Sequence, residues 1–319
     1  MEAEILDTLR AGTGSFVSGE QMSRMSGVSR TAIWKEIQKL REEGYRILAQ
    51  PHAGYQLVGI PDRMIPQELT WNLETQRIGK KVHAYETTDS TMEIARRLSA
   101  AGEPEGSVVI AEGQGKGRGR LGRSWVSPKG KGIYLSVILR PKVQFSRVPL
   151  ITLMTAVAVA RAISKETTLS PEIKWPNDVL IKGKKVSGIL TEMNAELNRV
   201  NDLVVGIGLN VNTPAASLPA HATSLSREMG HRVDRLALAR SLLVQMDRVY
   251  LQFLKEGVEP ILAAWRGHAL FLGKRIRVAA EGRTVDGQAM DVDSSGALLV
   301  RTDAGMIESV SAGEVLVVR

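Results

Sequence analysis

"KWPNDVLIKGKKVSGIL", residues 174–190, is the stretch on which the fold turns. It is apolar enough for the inside of a sheet, yet it carries Pro176, which has no N–H to give to a ladder and so belongs at an edge or a bulge. Asn177 and Asp178 then fall where the strand is irregular, a usual place for polar site residues. Gly183-Lys184 reads as a turn, Lys185 opens a second apolar strand, and Gly188 permits close approach of a ligand or another backbone. Lysines at strand edges also serve only to solubilise, so Lys185 alone decides nothing.

Upstream, "SVVIAE" (107–112) and "GIYLSVIL" (132–139) read as strands on either side of "GQGKGRGRLGRSW" (113–125). Lys116, Arg118, Arg120 and Arg123 alternate there with Gly117, Gly119 and Gly122, and no acid intervenes. Two explanations fit: a solvated loop, or an anion cradle in which glycine backbones turn N–H groups toward a phosphate and arginines add forked donors. The P-loop pattern is absent. Trp125 either offers an aromatic face or belongs to the core. "TTDSTMEIARRL" starts a helix at Asp89 or Ser90, an acceptor-binding corner or an ordinary N-cap. Gly206 and Gly208 interrupt the apolar strand "LVVGIGLNVN" and again hint at close backbone approach.

The run Val148–Ile163 is too short to span a bilayer and reads as a buried core helix. Amphipathic helices follow at about Arg235–Leu254 and Glu259–His268. From Gly273 onward, short alternating runs between Gly/Asp turns suggest a small β-barrel.

The first 60 residues read as three helices and a hairpin. Ser18 with Gln21 makes a capping-box pattern, Gly27 ends the second helix, and Ser29 can cap the third, "RTAIWKEIQKLREE". Ile33, Ile37 and Leu40 form its apolar stripe, so Thr31, Lys35 and Gln38 face away. A "GVS" turn between short helices, followed by two strands around a Pro/Gly turn, is the winged helix-turn-helix pattern. "GIPDRMIPQ" reads as a linker.

The 319-residue chain carries a net charge of +8, which invites a polyanion, and has no cysteine, which excludes disulfides and thiolate chemistry. The charge is uneven. Residues 1–60 hold seven Lys/Arg (10, 24, 30, 35, 39, 41, 46) and seven Asp/Glu (2, 4, 7, 20, 36, 42, 43), whereas 115–131 hold only bases. "MEAEILDTLR" lacks the layout of a secretory signal, so a soluble cytoplasmic protein with no membrane role is expected.

Taken in order, "DSTM" near 89, "GRGRLGRSW" from 117, "KWPNDVLIKGKKVSGIL" from 174, "GIGLNVN" from 206, "ATSL" from 222 and "SAGEVLVVR" at the end resemble the bifunctional biotin–protein ligase and biotin-operon repressor family over nearly the whole chain. The resemblance implies a multi-domain protein. It has a winged helix-turn-helix over 1–60, a linker over 61–70, a central α/β (α+β) biotin/lipoyl-ligase-like catalytic domain over 71–271, and an SH3-like β-barrel over 272–319.

It also implies a two-step reaction. Biotin and MgATP give biotinyl-5′-AMP and pyrophosphate; a lysine of the biotin carboxyl carrier domain of acetyl-CoA carboxylase then takes the biotin. The adenylate-bound homodimer would bind operator DNA as a repressor.

By the same resemblance Lys185, Arg118 and Arg120 are the catalytic candidates. Ser90, Thr91, Met92, Gln114, Gly117, Gly119, Trp125, Asn177, Asp178, Gly188, Gly206 and Asn210 complete the biotin/adenylate set. Ser29, Arg30, Thr31, Lys35 and Gln38 are the DNA-binding candidates. No protein metal motif is visible, so Mg²⁺ is expected to arrive with ATP. The basic loop is expected to be disordered when empty and to order once an adenylate neutralises its arginines. Met92 stands where the family usually has Asn, and Lys116 and Leu121 also depart from the commonest loop residues. Three alternatives stay open: a pure regulator without turnover, a lipoyl- or octanoyl-protein ligase, and a ligase whose head no longer binds DNA.

Overall fold

A computed structural model describes residues 2–12, 14–196, 199–280 and 282–318. The chain divides into two compact units, Met1–Arg63 and Met64–Arg319.

In the smaller unit, α1 (Glu2–Ala11), α2 (Gly19–Ser26) and α3 (Arg30–Glu42) precede the antiparallel pair β1 (Arg46–Gln50) and β2 (Gly54–Gly59). The caps form as the sequence implies. Ser18 Oγ accepts from Gln21 N at 3.0 Å, Gly27 turns left-handed at φ 68°, and Ser29 Oγ accepts from Ala32 N at 3.2 Å. Such caps satisfy N–H groups that a helix end leaves without intrahelical partners. Ile5, Leu6, Leu9, Met22, Ile33, Ile37 and Leu40 make the core, and Val17 bridges to Tyr55 of the wing.

The larger unit opens with α4 (Pro66–Thr70). The linker expected over 61–70 is therefore structured beyond Arg63, and Met64 and Leu69 lie in the core. Pro66 sits at the first helical turn, where its missing N–H costs nothing; read without that context, the prolines suggested a linker.

Then come β3 (Val82–Thr88), α5 (Thr91–Ala100), β4 (Val108–Gln114), β5 (Ile133–Leu139), α6 (Val148–Glu166), β6 (Glu172–Lys174), β7 (Asp178–Ile181), β8 (Lys184–Glu196) and β9 (Arg199–Leu209). α7 (Leu225–Met229), α8 (Arg235–Glu256) and α9 (Glu259–Arg266) close this part of the unit. The seven strands form one sheet in the order β3-β4-β5-β9-β8-β7-β6; β3-β4 is parallel and every other pair antiparallel.

Two local expectations change. "EIKWPNDVLI" is not one strand but the hairpin β6–β7, with Lys174 paired to Asp178 across Trp175, Pro176 and Asn177. Pro176 is accommodated by leaving the ladder altogether. The next turn is Lys182-Gly183, both at positive φ (50° and 73°), and Lys184 already belongs to β8. Paired positive φ values match the twist of a two-residue hairpin.

Side-chain alternation gives the sheet two faces. Ile110, Leu135, Val205, Ile207 and Leu209 pack with α6 and α8 in the main core, while Val109, Ile138 and Val204 pack with Met92, Ile94 and Ala95 of α5. Helix Phe145–Glu166 is apolar and long enough to cross a membrane, longer than the sequence run suggested, but 72% of its apolar window is buried within the protein. It is the core helix.

Strands β10 (Arg275–Ala280), β11 (Arg283–Val292), β12 (Leu298–Thr302), β13 (Ile307–Val310) and β14 (Glu314–Val317) form an antiparallel sheet in the order β13-β12-β11-β10-β14. Its apolar side chains join the main core, so the C-terminal sheet and the ligase-like domain form one compact unit. Trp175 Nε1 donates to Gly296 O at 3.0 Å and fastens that sheet to the β6–β7 turn.

Candidate functional site

The α5 face of the sheet has a floor without side chains. Gly188 of β8 pairs with Gly208 of β9, and Gly206 pairs with Leu190. Residues two apart on a strand share a face, so the three glycines bare one patch of backbone. Two large side chains lie on it. A Cβ at Gly208 would come within 2.4 Å of the Trp125 indole, and one at Gly206 within 2.5 Å of Met92 Sδ. Met92 is thus packed against backbone in the pocket wall.

Around this floor is a cavity of about 320 Å³, within the usual range for small-molecule sites. All the biotin/adenylate candidates line it except Gly117. Gly117 lies at the root of the basic loop, where a Cβ would meet Trp125 O at 2.4 Å and Ser127 Oγ at 2.8 Å.

Gln114 organises one wall. Its Oε1 accepts from Thr91 N at 2.9 Å and Nε2 donates to Ser127 Oγ at 2.9 Å, while Ser136 Oγ donates to Thr91 Oγ1. Ser90 is the N-cap of α5, yet its side chain makes no capping bond. Among the described residues, Asp178 Oδ1 in the cavity wall is met only by the Lys185 ammonium, and three further buried polar atoms there have no partner: Ser90 Oγ, Trp125 Nε1 and Asn210 Oδ1. Each such atom costs about 1–3 kcal/mol unless something fills the role, and together they present a hydroxyl, a donor and an acceptor to a polar ligand.

Residues 117–125 are folded as a hairpin. Trp125 N donates to Gly117 O at 2.8 Å, Arg118 bridges to Ser124, and Gly119 N donates to Arg123 O at 2.7 Å. The tip is a 3-10 turn, Arg120–Gly122, with Leu121 left-handed and exposed.

The cations of the hairpin find partners within the chain. Arg118 pairs with Glu192 at 2.8 Å, Arg123 with Glu314 at 2.8 Å, and Lys116 with Asp89 at 2.8 Å. Arg120 donates to Asn177 Oδ1 at 3.0 Å and to Gly313 O at 3.3 Å. Burial pushes the Arg120 guanidinium below its ordinary range, against the pull of Asp178 and Glu314. The Arg123 bond holds Glu314 below the usual carboxylate range. Gly313, Glu314 and Glu192 are not legible in the sequence because they lie 74 to 193 residues from their partners. The only signal was "SAGEVLVVR" as a piece of the resemblance.

Lys185 stands in the same wall, its Nζ 2.7 Å from Asp178 Oδ1 and 5.5 Å from the centre of the Trp125 ring. Strand β8 bulges beside it: Leu180 pairs with Lys185 but Val179 with Ser187. The ammonium has one carboxylate partner and is only partly exposed, which suits a cation that must meet a second anion. The described residues contain no group of three or more His, Asp or Glu arranged to hold a metal ion.

On α3, Ser29, Arg30, Thr31 and Lys35 are exposed and Gln38 is half-buried. Most acids of this unit are ion-paired: Glu2, Glu36 and Glu43 surround Lys39, Asp7 pairs with Arg10 and Glu20 with Arg24, whereas Glu42 is exposed at the end of α3. Arg30 and Lys35 have no ion-pair partner among the described residues. A head that is neutral by count therefore presents two cations, Arg30 and Lys35, on the N-terminal half of α3.

Residues 84–210 match the Biotin/lipoate A/B protein ligase family, 2–56 an HTH domain, and 271–318 the Biotin protein ligase C terminal domain. The chain is 36% identical to the bifunctional ligase/repressor BirA of Bacillus subtilis, covering 98% of this chain and 97% of that one. With the bifunctional ligase/repressor BirA of Escherichia coli it shares 30% identity over 95% and 93% of the two chains. Among solved structures, it is similar to the biotin protein ligase from Aquifex aeolicus in complex with biotin and ATP. That match has 31% identity and a TM-score of 0.66, over 75% of this chain and 99% of the other.

Proposed function

The chain belongs to the biotin protein ligase family, in the form that carries an N-terminal helix-turn-helix, and from this premise we propose how its residues divide the work. The protein is an ATP-dependent biotin–protein ligase and a transcriptional repressor. Biotin and MgATP give biotinyl-5′-AMP and pyrophosphate. A lysine of the carrier domain of acetyl-CoA carboxylase then attacks the acyl carbon, and AMP leaves.

Biotin's carboxylate is itself the nucleophile of the first step, so the demand on the protein is electrostatic: to bring an anion up to a polyanion and stabilise the charge developing at the α-phosphate. Lys185 bridges carboxylate and α-phosphate, exchanging part of its contact with Asp178. Arg118 and Arg120 hold phosphate oxygens, with Asn177 orienting Arg120. Ser90, Thr91 and Gln114 form the polar end of the biotin pocket. Trp125, Gly188, Gly206 and Gly119 shape its walls, and Met92 makes one wall apolar. Gly117 sets the root of the loop.

Mg²⁺ fits as an ion carried largely by phosphates and water. The cavity offers it the Asp178 carboxylate and Asn210 Oδ1, too few oxygens for a dedicated cage. When bound, it neutralises phosphate charge.

Ser29, Arg30, Thr31, Lys35 and Gln38 form the operator-reading face of α3. Two heads held in an adenylate-bound homodimer would reach two half-sites. The protein would act in the cytoplasm, where carrier and operator both are.

The observation that carries this assignment is the glycine-floored cavity. It joins unpartnered Ser90, Trp125 and Asn210 atoms to a wall of Lys185, Arg118 and Arg120. Biotin-dependent ATP–pyrophosphate exchange tests it, with lipoate and octanoate in parallel. Exchange with biotin alone is expected, and exchange only with the fatty acids would move the substrate to that class. Lys185→Ala should lower exchange by about 100-fold or more with the far-UV spectrum unchanged; near-normal turnover would remove Lys185 from its role.

A further inference from the structure

One residue on the outward face of α3 is not explained by the charges around it. Positions 31, 34, 35 and 38 recur at spacings of three and four and share a helical face, away from the buried Ile33, Ile37 and Leu40. Position 34 is a tryptophan, and it is 52% exposed. An indole buries 150–250 Å² when it packs, so a helix surface gains nothing within this chain by holding one half in water. Its neighbours on that surface are Thr31, Lys35 and Gln38, with Arg30 one turn back and the exposed carboxylate of Glu42 two turns further on.

We propose that Trp34 is a base-reading residue of the operator complex, which packs in the major groove against the C5-methyl of a thymine. This rests on the assignment of the head as DNA-binding. A recognition helix brings its side chains to base edges. The thymine methyl is the apolar feature that those edges offer, and an indole flanked by two unpaired cations suits it. Arg30 and Lys35 would take the phosphates on either side.

The test uses the full chain with biotin and MgATP. Wild type and Trp34→Ala each select duplexes from a random-sequence library. A thymine enriched by wild type should lose its enrichment with Trp34→Ala. Replacing that thymine by uracil, which removes only the methyl, should weaken wild-type binding about four-fold, the effect of one buried methyl at ~0.8 kcal/mol. Trp34→Ala should bind both duplexes alike, and Trp34→Phe should retain part of the discrimination.

If no thymine of the wild-type site responds to uracil, or if both proteins respond equally, the proposal is overturned while the repressor assignment stands. A wild type that enriches no sequence defeats the repressor assignment itself. A Trp34→Ala protein whose monomer–dimer equilibrium shifts in sedimentation without DNA would place Trp34 in a protein interface and equally overturn the proposal.

Discussion

Glycines 188, 206 and 208 do more to make the site than any charged residue, because they let Trp125 and Met92 lie directly on backbone. A methyl group at Gly208 would have to displace the indole. Gly208→Ala should leave the protein folded but lower biotin-dependent exchange about tenfold or more, chiefly through KM for biotin, given a cost of overpacking of ~1–3 kcal/mol. Unchanged KM together with unchanged tryptophan fluorescence would show that Trp125 does not form the pocket wall. Glu103 is a different kind of residue. Its hydrogen bond with His83, then those from Lys81 and Ser107, hold its pKa at about 2, down from 4.5. A depressed carboxylate stabilises the fold fully above its ordinary pKa and loses that contribution as pH falls through the folded value. The stability difference between wild type and Glu103→Gln, measured by urea titration, should shrink toward zero as the pH falls from about 4.5 to about 2. A difference independent of pH would mean that Glu103 acts only through shape.

At the scale of elements, the basic hairpin and helix α8 show how distant segments hold the site in place. Arg120 and Arg123 are tied to Gly313 and Glu314, so the C-terminal sheet holds the tip of the loop that covers the cavity. The Arg123–Glu314 pair is exposed and adds little stability; what it sets is position. α8 works from below. Buried Arg235 binds Glu112 of β4 at 2.8 Å, and buried Asp247 accepts from the N–H groups of Gln76, Arg77 and Ile78, each at 2.8 Å. Asp247 thereby replaces a strand partner for the segment entering β3. Asp247→Ala would leave three N–H groups, that of Ile78 fully buried, short of an acceptor and should destabilise the larger unit by about 3 kcal/mol, with Asp247→Asn costing less. A change below the error of thermal unfolding in both variants would show that water replaces the carboxylate.

Two compact units in one chain predict two responses to ligand. A ligand that binds only the native larger unit stabilises that unit by RT ln(1 + [L]/Kd). In calorimetry, biotin with MgATP at about 100 times Kd should raise the transition of the larger unit by the equivalent of about 2.7 kcal/mol. The transition of the winged-helix unit should shift less. A single transition moving as a whole would show that the units unfold together. Charge also needs this scale. Counted along the chain, the head is neutral; folded, Glu2, Glu36 and Glu43 gather around Lys39 while Arg30 and Lys35 face outward.

The sequence alone determined the pieces whose physics is local. Ser18, Gly27 and Ser29 punctuate the helices as they do because a cap is decided by residues within one turn. The apolar stripe Ile33–Ile37–Leu40 declares its face by periodicity, and the spacing of glycines and cations in 115–131 marks a loop suited to anions. "KWPND" declared a break in a strand at Pro176, but whether that break is a bulge or a hairpin depended on where β6 and β7 pair. Tertiary structure alone decided what long-range neighbours decide. It showed that Pro66 starts a helix rather than a linker and that the arginines of the loop rest on Asn177, Glu192, Gly313 and Glu314. It also showed that Trp34 shares the surface of Lys35 with no partner of its own. Those outcomes depend on which residues, dozens of positions apart, come within a few ångströms, and only the folded chain fixes that distance.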